Sequence, residues 1–152
     1  MTAGPWVPSF FSDLPVHTTR ETLAYFRREG TPLPSVVQLD PVTRGHALYS
    51  LHDPVHGLKA GTHHAGARVG PDDEGRVGAA LVERVSEWVA RTYPDADPDP
   101  VAAETCFYTT TPDERFILER RGRIVIGSPC SGHGFKFAPA IGNRLARMAA
   151  SL

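Results

Sequence analysis

Cysteine is scarce in this 152-residue chain: Cys106 and Cys130 are the only two. That is too few for a disulfide framework, and in a reducing compartment both are expected as thiols unless chemistry claims them. Runs of Lys or Arg are absent. With a formal net charge of -1, the chain lacks the electrostatic footprint of a nucleic-acid binder. No apolar stretch approaches a membrane-spanning length. The opening Met1-Thr-Ala-Gly-Pro-Trp6 has neither a basic n-region nor an apolar h-region, so no secretory signal is expected and the cytoplasm is the expected compartment. Also missing is the Gly-x-Gly-x-x-Gly turn that holds a pyrophosphate at a helix N-terminus in dinucleotide-binding folds.

What is present suits an ordinary globular protein with a real core. Fourteen glycines and fourteen prolines fall between short β-like runs, which predicts an α+β arrangement and not a helical bundle. Residues 16–26 are rich in β-branched and aromatic types and read as a strand, ended by the Gly30-Thr-Pro-Leu-Pro34 turn. Three more short strands, at 36–39, 47–51 and 57–62, are spaced as in an antiparallel meander. Pro71-Asp-Asp73 supplies acidic residues for a helix start. Beyond it Val77, Leu81, Val85, Trp88 and Val89 recur at helical spacing until Tyr93-Pro94. Residues 101–108, 115–119 and 123–127 read as strands, the last two joined by a tight three-residue hairpin connection. Pro139 is placed to open a last helix with Ile141, Leu145 and Met148 on one face.

Several residues carry possible chemistry. The Gly127-Ser-Pro-Cys-Ser-Gly-His-Gly134 loop joins a strand to a helix. It reads either as a structurally required turn or as a cradle whose backbone N–H groups face an electron-rich ligand. His52, His56, His63, His64 and His133 with the two cysteines invite a metal reading. Cys-x-x-Cys and His-Glu-x-x-His are both absent, however, and adjacent histidines on a strand would point to opposite faces. No metal site is therefore assigned. Cys130 with His133 lacks the third, orienting group that a cysteine nucleophile needs. Lys59 stands in a short apolar strand and Lys136 between two phenylalanines. An amine kept in water explains either, as does a cation placed beside an anionic group.

Taken together, Ala3-Gly-Pro-Trp6, Gly57-Leu-Lys-Ala-Gly-Thr-His63, Arg68-Val-Gly-Pro-Asp-Asp73, Thr105-Cys-Phe-Tyr-Thr-Thr-Thr-Pro-Asp-Glu114 and Ser131-Gly-His-Gly-Phe-Lys-Phe-Ala-Pro139 resemble, in order and spacing, the C-terminal part of the monomeric sarcosine oxidase and N-methyltryptophan oxidase family. The resemblance implies an α+β fold with an antiparallel substrate-domain sheet and flanking helices. To these it adds the C-terminal piece of an FAD-binding domain whose Rossmann core is missing. Residues 1–15 would be the end of a flavin-domain strand and a linker, 16–105 the substrate-domain sheet and helix, and 106–152 the C-terminal flavin-contacting segment.

By the same resemblance the activity is FAD-dependent oxidation of the C–N bond of a secondary amine or N-methyl amino acid. The products are an imine and hydrogen peroxide formed from oxygen. Cys106 matches the cysteine bonded covalently to the flavin, and Gly132, His133, Gly134, Phe135 and Lys136 match its returning flavin contacts. Lys59 matches the lysine that assists the oxygen step, where a fixed positive charge suits forming superoxide. His63 and Tyr108 match residues lining the amine site, Tyr49 a further substrate contact, and Lys136 the partner of the substrate carboxylate.

The chain also departs from the family pattern. The Gly-rich pyrophosphate turn is absent, so a missing N-terminal FAD-binding half is implied and the chain is expected to be inactive without it. Cys130 stands where relatives carry an aromatic residue, Leu51-His52 replaces a Phe-Pro pair, and the turn before Gly57 is about one residue short. The alternative expectation, from a different class, is a non-catalytic remnant or interaction module with an exposed apolar patch.

Overall fold

The computed structural model describes residues 1–39, 47–128 and 130–151, so Pro129 of the Gly-rich loop lies outside the described residues. The chain divides into two compact units. One comprises Arg20–Ala67 and Asp73–Cys106, and the other Met1–Thr19, Arg68–Asp72 and Phe107–Leu152. The architecture is α+β. One sheet has the strand order β2-β3-β4-β1-β5 with β6 also pairing β1, and β7-β8 form a separate hairpin. The strands are β1 (His17–Arg27), β2 (Val36–Gln38), β3 (Leu48–Asp53), β4 (Gly57–Thr62), β5 (Ala67–Val69), β6 (Ala102–Thr110), β7 (Ile117–Arg121) and β8 (Ile124–Ser128).

In the first unit the meander holds for β2, β3 and β4, which pair antiparallel in sequence order. The first strand departs from it. β1 lies against β4, with Tyr25 opposite Lys59 and Leu23 opposite Gly61. The reason is visible at Gly57, whose φ of +98° lets the β3-β4 turn press against the end of β1 so closely that a Cβ there would sit 1.8 Å from the Arg28 carbonyl oxygen. Arg28 donates its backbone N–H to the His56 carbonyl at 3.0 Å and closes that corner.

Helix α2 (Ala79–Thr92) buries Val85, Trp88 and Val89, as the apolar spacing predicts. They pack on Ala24, Phe26, Leu48, Leu58 and Ala60 of the sheet. Each large side chain buried there contributes about 1.5–3 kcal/mol of apolar transfer. The indole N–H of Trp88 donates to Gln38 Oε1 at 2.6 Å, and Tyr93, just past the helix, brings its hydroxyl within 2.5 Å of Ser50 Oγ. The helix starts later than the acidic pair suggests, with Gly78 as N-cap and no acidic residue in its first turn. The acids are used elsewhere: Asp72 accepts from the Trp6 indole at 3.1 Å within the second unit, and Asp73 pairs with Arg20 at 2.6 Å within the first.

In the second unit a 3-10 turn (Gly4–Trp6) runs into the short helix α1 (Val7–Phe10). Val7, Leu14 and Ile126 form its small core, joined by Ala3, Phe11, Val16 and Ile117. Met1 lies alongside β8, donating its amino group to the Val125 carbonyl and accepting from the Gly127 N–H at 2.9 Å. The β7-β8 connection is shorter than the three-residue gap predicted, because β7 runs on to Arg121 and Gly122, at φ +60°, turns the chain immediately. Helix α3 (Ala138–Ala150) begins as predicted with Pro139 in its first turn.

Candidate functional site

The alternation of β4 separates two kinds of residue. Leu58, Ala60 and Thr62 are buried at 1%, 0% and 1% exposure, and Leu58 and Ala60 join the core under α2. Lys59 and Gly61 therefore point to the opposite face. His63 continues this face, since its N–H donates to the Ala47 carbonyl at 2.8 Å and extends the ladder one residue past the strand. Across the register, Lys59 is flanked by Tyr25 and Leu51, and Gly61 by Leu23 and Tyr49.

β6 adds to this face. Ala103 packs against the helix-side core, whereas Glu104 accepts a hydrogen bond from the Tyr25 hydroxyl at 3.0 Å. Cys106 shares the parity of Glu104, so its half-buried thiol is on the same side. Four residues singled out from sequence, Tyr49, Lys59, His63 and Cys106, thus share one face of one sheet. It is the face turned away from α2, and α2 is the only helix among the described residues of this unit.

The fit is close at Gly61. A Cβ there would meet the Tyr49 hydroxyl oxygen at 2.8 Å, so the phenol lies across residue 61 and leaves a flat, partly aromatic floor. The Lys59 ammonium sits 5.7 Å from the centre of the Tyr25 ring. Tyr25 also stacks, tilted, with His56 at 5.2 Å, and His56 Nδ1 lies 3.0 Å from Asp53 Oδ2. Burial, reinforced by the hydrogen bond to Glu104, raises the Tyr25 phenol above its ordinary pKa. Burial works to raise the Asp53 carboxyl too, but hydrogen bonds from the His56 and Val55 N–H groups and the His56 ring outweigh it and hold the carboxyl low.

The turn after β4 corrects one expectation. His63 and His64 do not point apart: His64 takes φ +57° and the two rings meet edge to face at 4.1 Å. The turn is anchored from β1, where Glu21, 1% exposed, accepts the Ala65 and Gly66 N–H groups at 3.1 and 3.0 Å. Among the described residues no group of three or more His, Cys, Asp or Glu side chains is arranged to hold a metal ion. Neither cysteine is in a disulfide.

Tyr108, Gly132, His133, Gly134, Phe135 and Lys136 belong to the second unit. There the Gly-rich loop turns through Ser131 and Gly132 at φ +41° and +68°. Its N–H groups are largely committed internally. Ser131 donates to the Thr109 carbonyl at 2.9 Å, and His133 and Gly134 both donate to the Cys130 carbonyl at 3.0 and 2.9 Å. At these positions the loop is a self-bonded turn and not an open cradle. His133 stacks on Phe116 at 5.1 Å, and Phe116 meets Phe137 at 5.6 Å. Lys136 is exposed, with its ammonium 5.4 Å from the Phe137 ring centre, and Phe135 is 95% exposed. Tyr108 is half-buried on β6.

Tyr25, Glu104 and Glu21 are the members of the site that motif reading passed over. Their signal was faint: a tyrosine at the alternating position of β1, and acids inside otherwise apolar strands.

Comparison with known proteins bears on the family and the fold. Residues 1–148 match the family described as FAD dependent oxidoreductase. Human peroxisomal sarcosine oxidase is 33% identical over 171 aligned positions, covering 100% of this chain and 43% of the human protein. The N-methyl-L-tryptophan oxidase of Salmonella heidelberg is 29% identical, covering 93% of this chain and 40% of its own length. The chain therefore spans less than half of the curated relatives it matches. A solved structure of NikD, an amino acid oxidase essential for nikkomycin biosynthesis, superposes with a TM-score of 0.73 at 20% identity, over 96% of this chain and 42% of that one.

Proposed function

Because the chain belongs to the FAD dependent oxidoreductase family, we propose that it supplies the substrate-side sheet and C-terminal flavin contacts of an oxidase. Its substrate class is a secondary amine or N-methyl amino acid, with oxygen as electron acceptor. The observation that carries this reading is the placement of Tyr49, Lys59, His63 and Cys106 on one sheet face that α2 leaves open. The floor made by Tyr49 lying over Gly61 would take a flat isoalloxazine, and Cys106 offers a half-buried thiol for covalent attachment.

When bound, the flavin supplies the two-electron acceptance that a side chain cannot. The chain's own residues supply place and charge. Lys59 holds a positive charge on the open face, where negative charge developing on oxygen would be stabilised. His63 and Tyr108 line the amine site, Tyr49 contacts the substrate, and the Lys136 ammonium takes the substrate carboxylate. Gly132, His133, Gly134 and Phe135 shape the returning flavin contact. The nucleotide cradle, Gly-x-Gly-x-x-Gly, does not occur in this sequence, so turnover requires an N-terminal FAD-binding half. We assign the protein to the cytoplasm, where cysteines outside disulfides persist as thiols. Among the described residues no helix is long and apolar enough to cross a membrane.

The test is mass spectrometry of the purified chain after expression together with an FAD-binding half. The reading expects an added flavin mass that survives acid precipitation and is lost in Cys106→Ser, and peroxide formed from sarcosine or another N-methyl amino acid. A bare polypeptide mass with no peroxide would leave the interaction-module reading.

A further inference from the structure

We propose that Tyr25 and Glu104 form a positioning pair for the Lys59 ammonium, the phenol ring serving as its seat and the Glu104 carboxylate pinning that ring in place. Tyr25 and Lys59 are direct cross-strand partners in the β1-β4 register, and the ammonium lies 5.7 Å from the ring centre, within the roughly 6 Å over which a ring face attracts a cation. A lysine on a four-carbon stem otherwise sweeps a wide volume, because its ammonium is a point charge with no preferred plane of bonding. Among the described residues no carboxylate forms an ion pair with Lys59, so the ring is what localises the charge.

Glu104 strengthens that seat in two ways. Its Oε2 accepts the Tyr25 hydroxyl hydrogen at 3.0 Å, and a charge-assisted bond of this kind fixes the ring's tilt. It also draws the hydroxyl proton away from the phenol oxygen, which leaves more electron density on the ring face. The ring has a second neighbour as well: His56 packs against it, tilted, at 5.2 Å, and His56 is fixed by Asp53, which accepts its backbone N–H at 2.7 Å and lies 3.0 Å from its ring nitrogen. Asp53, His56, Tyr25 and Glu104 thus form one continuous brace beneath a single ammonium. The functional consequence, a fixed positive charge for the oxygen step, rests on the reading in the preceding subsection. The brace itself does not.

The sequence provides a clean probe, since Lys59 and Lys136 are its only lysines. Reductive methylation of the full chain with 13C-formaldehyde gives one dimethyl resonance for each. The Lys59 resonance is expected at low frequency from the Tyr25 ring current. It should return to the solvent-exposed position in Tyr25→Leu, move part of the way in Glu104→Gln, and move at least as far in Tyr25→Phe, which keeps a ring but loses the hydroxyl that Glu104 pins. The Lys136 signal should stay fixed in all three. An unmoved Lys59 resonance in Tyr25→Leu would overturn the seat, and an unmoved one in Glu104→Gln would overturn the pinning. Because Glu104 is exposed, that variant decides the matter even if Tyr25→Leu fails to fold. A Lys59 shift as described, with no flavin uptake when the chain is expressed together with an FAD-binding half, upholds the brace and defeats the flavin reading; flavin uptake there with an unmoved Lys59 resonance does the reverse.

Discussion

The Tyr49 phenol lies across Gly61, so near that a Cβ on residue 61 would come within 2.8 Å of its hydroxyl oxygen and 3.0 Å of Cζ. The two residues are cross-strand partners between β3 and β4, and only a hydrogen at residue 61 lets the ring lie flat. Gly61→Ala should therefore push the ring outward. The atom displaced is the far end of a side chain, so the expected cost is small, about 1 kcal/mol. Urea melts should show a modest drop in midpoint, while flavin uptake by Cys106 falls several-fold. Unchanged uptake would show that Tyr49 is not part of the floor.

Gly57 presents the opposite case. A Cβ there would sit 1.8 Å from the Arg28 carbonyl oxygen, and the residue holds φ +98°. Backbone cannot swing aside as a phenol can, and a side chain at this φ adds conformational strain. Gly57→Ala is expected to cost about 3 kcal/mol or more. Denaturant unfolding should show a loss well beyond that of Gly61→Ala. Similar losses for the two variants would contradict the distinction between displaced backbone and displaced side chain.

These two glycines also mark how far the sequence could be read. Val85, Trp88 and Val89 announced α2 because helical periodicity is local and strong. The alternating residues of β4 likewise fixed which side chains share the face of Lys59. What spacing could not reveal was the partner of β1. Pairing across the β2-β3 region is decided by the packing at Gly57 and Arg28, which no local pattern encodes. The same limit hid Glu104 and Tyr25, which lie far apart in sequence and are joined only through sheet pairing. Asp72 and Asp73 misled because acids before an apolar run mimic a helix start, and here they bind Trp6 and Arg20. The Gly-rich loop left two readings open because the same residues serve a ligand cradle and a turn that bonds to itself.

Gln38 should be far more consequential than its place on a three-residue edge strand suggests. Its Oε1 accepts the indole N–H of Trp88 at 2.6 Å, and Trp88 is 2% exposed. Gln38→Ala removes the acceptor while leaving the donor near the core, a loss expected to cost about 1–3 kcal/mol. Trp88→Phe removes the donor as well, so adding Gln38→Ala to it should cost much less. A double-mutant cycle read by thermal unfolding checks this. Strictly additive losses would mean the hydrogen bond contributes nothing.

Acid should unfold the chain through its carboxylates. Arg20 beside Asp73, aided by the Gly75 N–H, holds that carboxyl below its ordinary value. Arg121 lowers Asp13, Arg28 lowers Asp95, and the Arg115 N–H lowers Asp113. Each group binds its proton less readily when folded than in the unfolded chain, where the value is about 3.9. The unfolded state therefore takes up more protons in acid, and stability rises with pH through that range. The contribution is complete above the unfolded value and is lost as pH falls through the lower, folded values. Urea midpoints should be level from about pH 7 to 5 and drop progressively below about pH 4. Asp73→Asn should lower the plateau and flatten the acid slope, because the variant no longer has that proton to bind. A slope as steep in Asp73→Asn as in the parent would show that the Arg20 pair takes no part in the acid response.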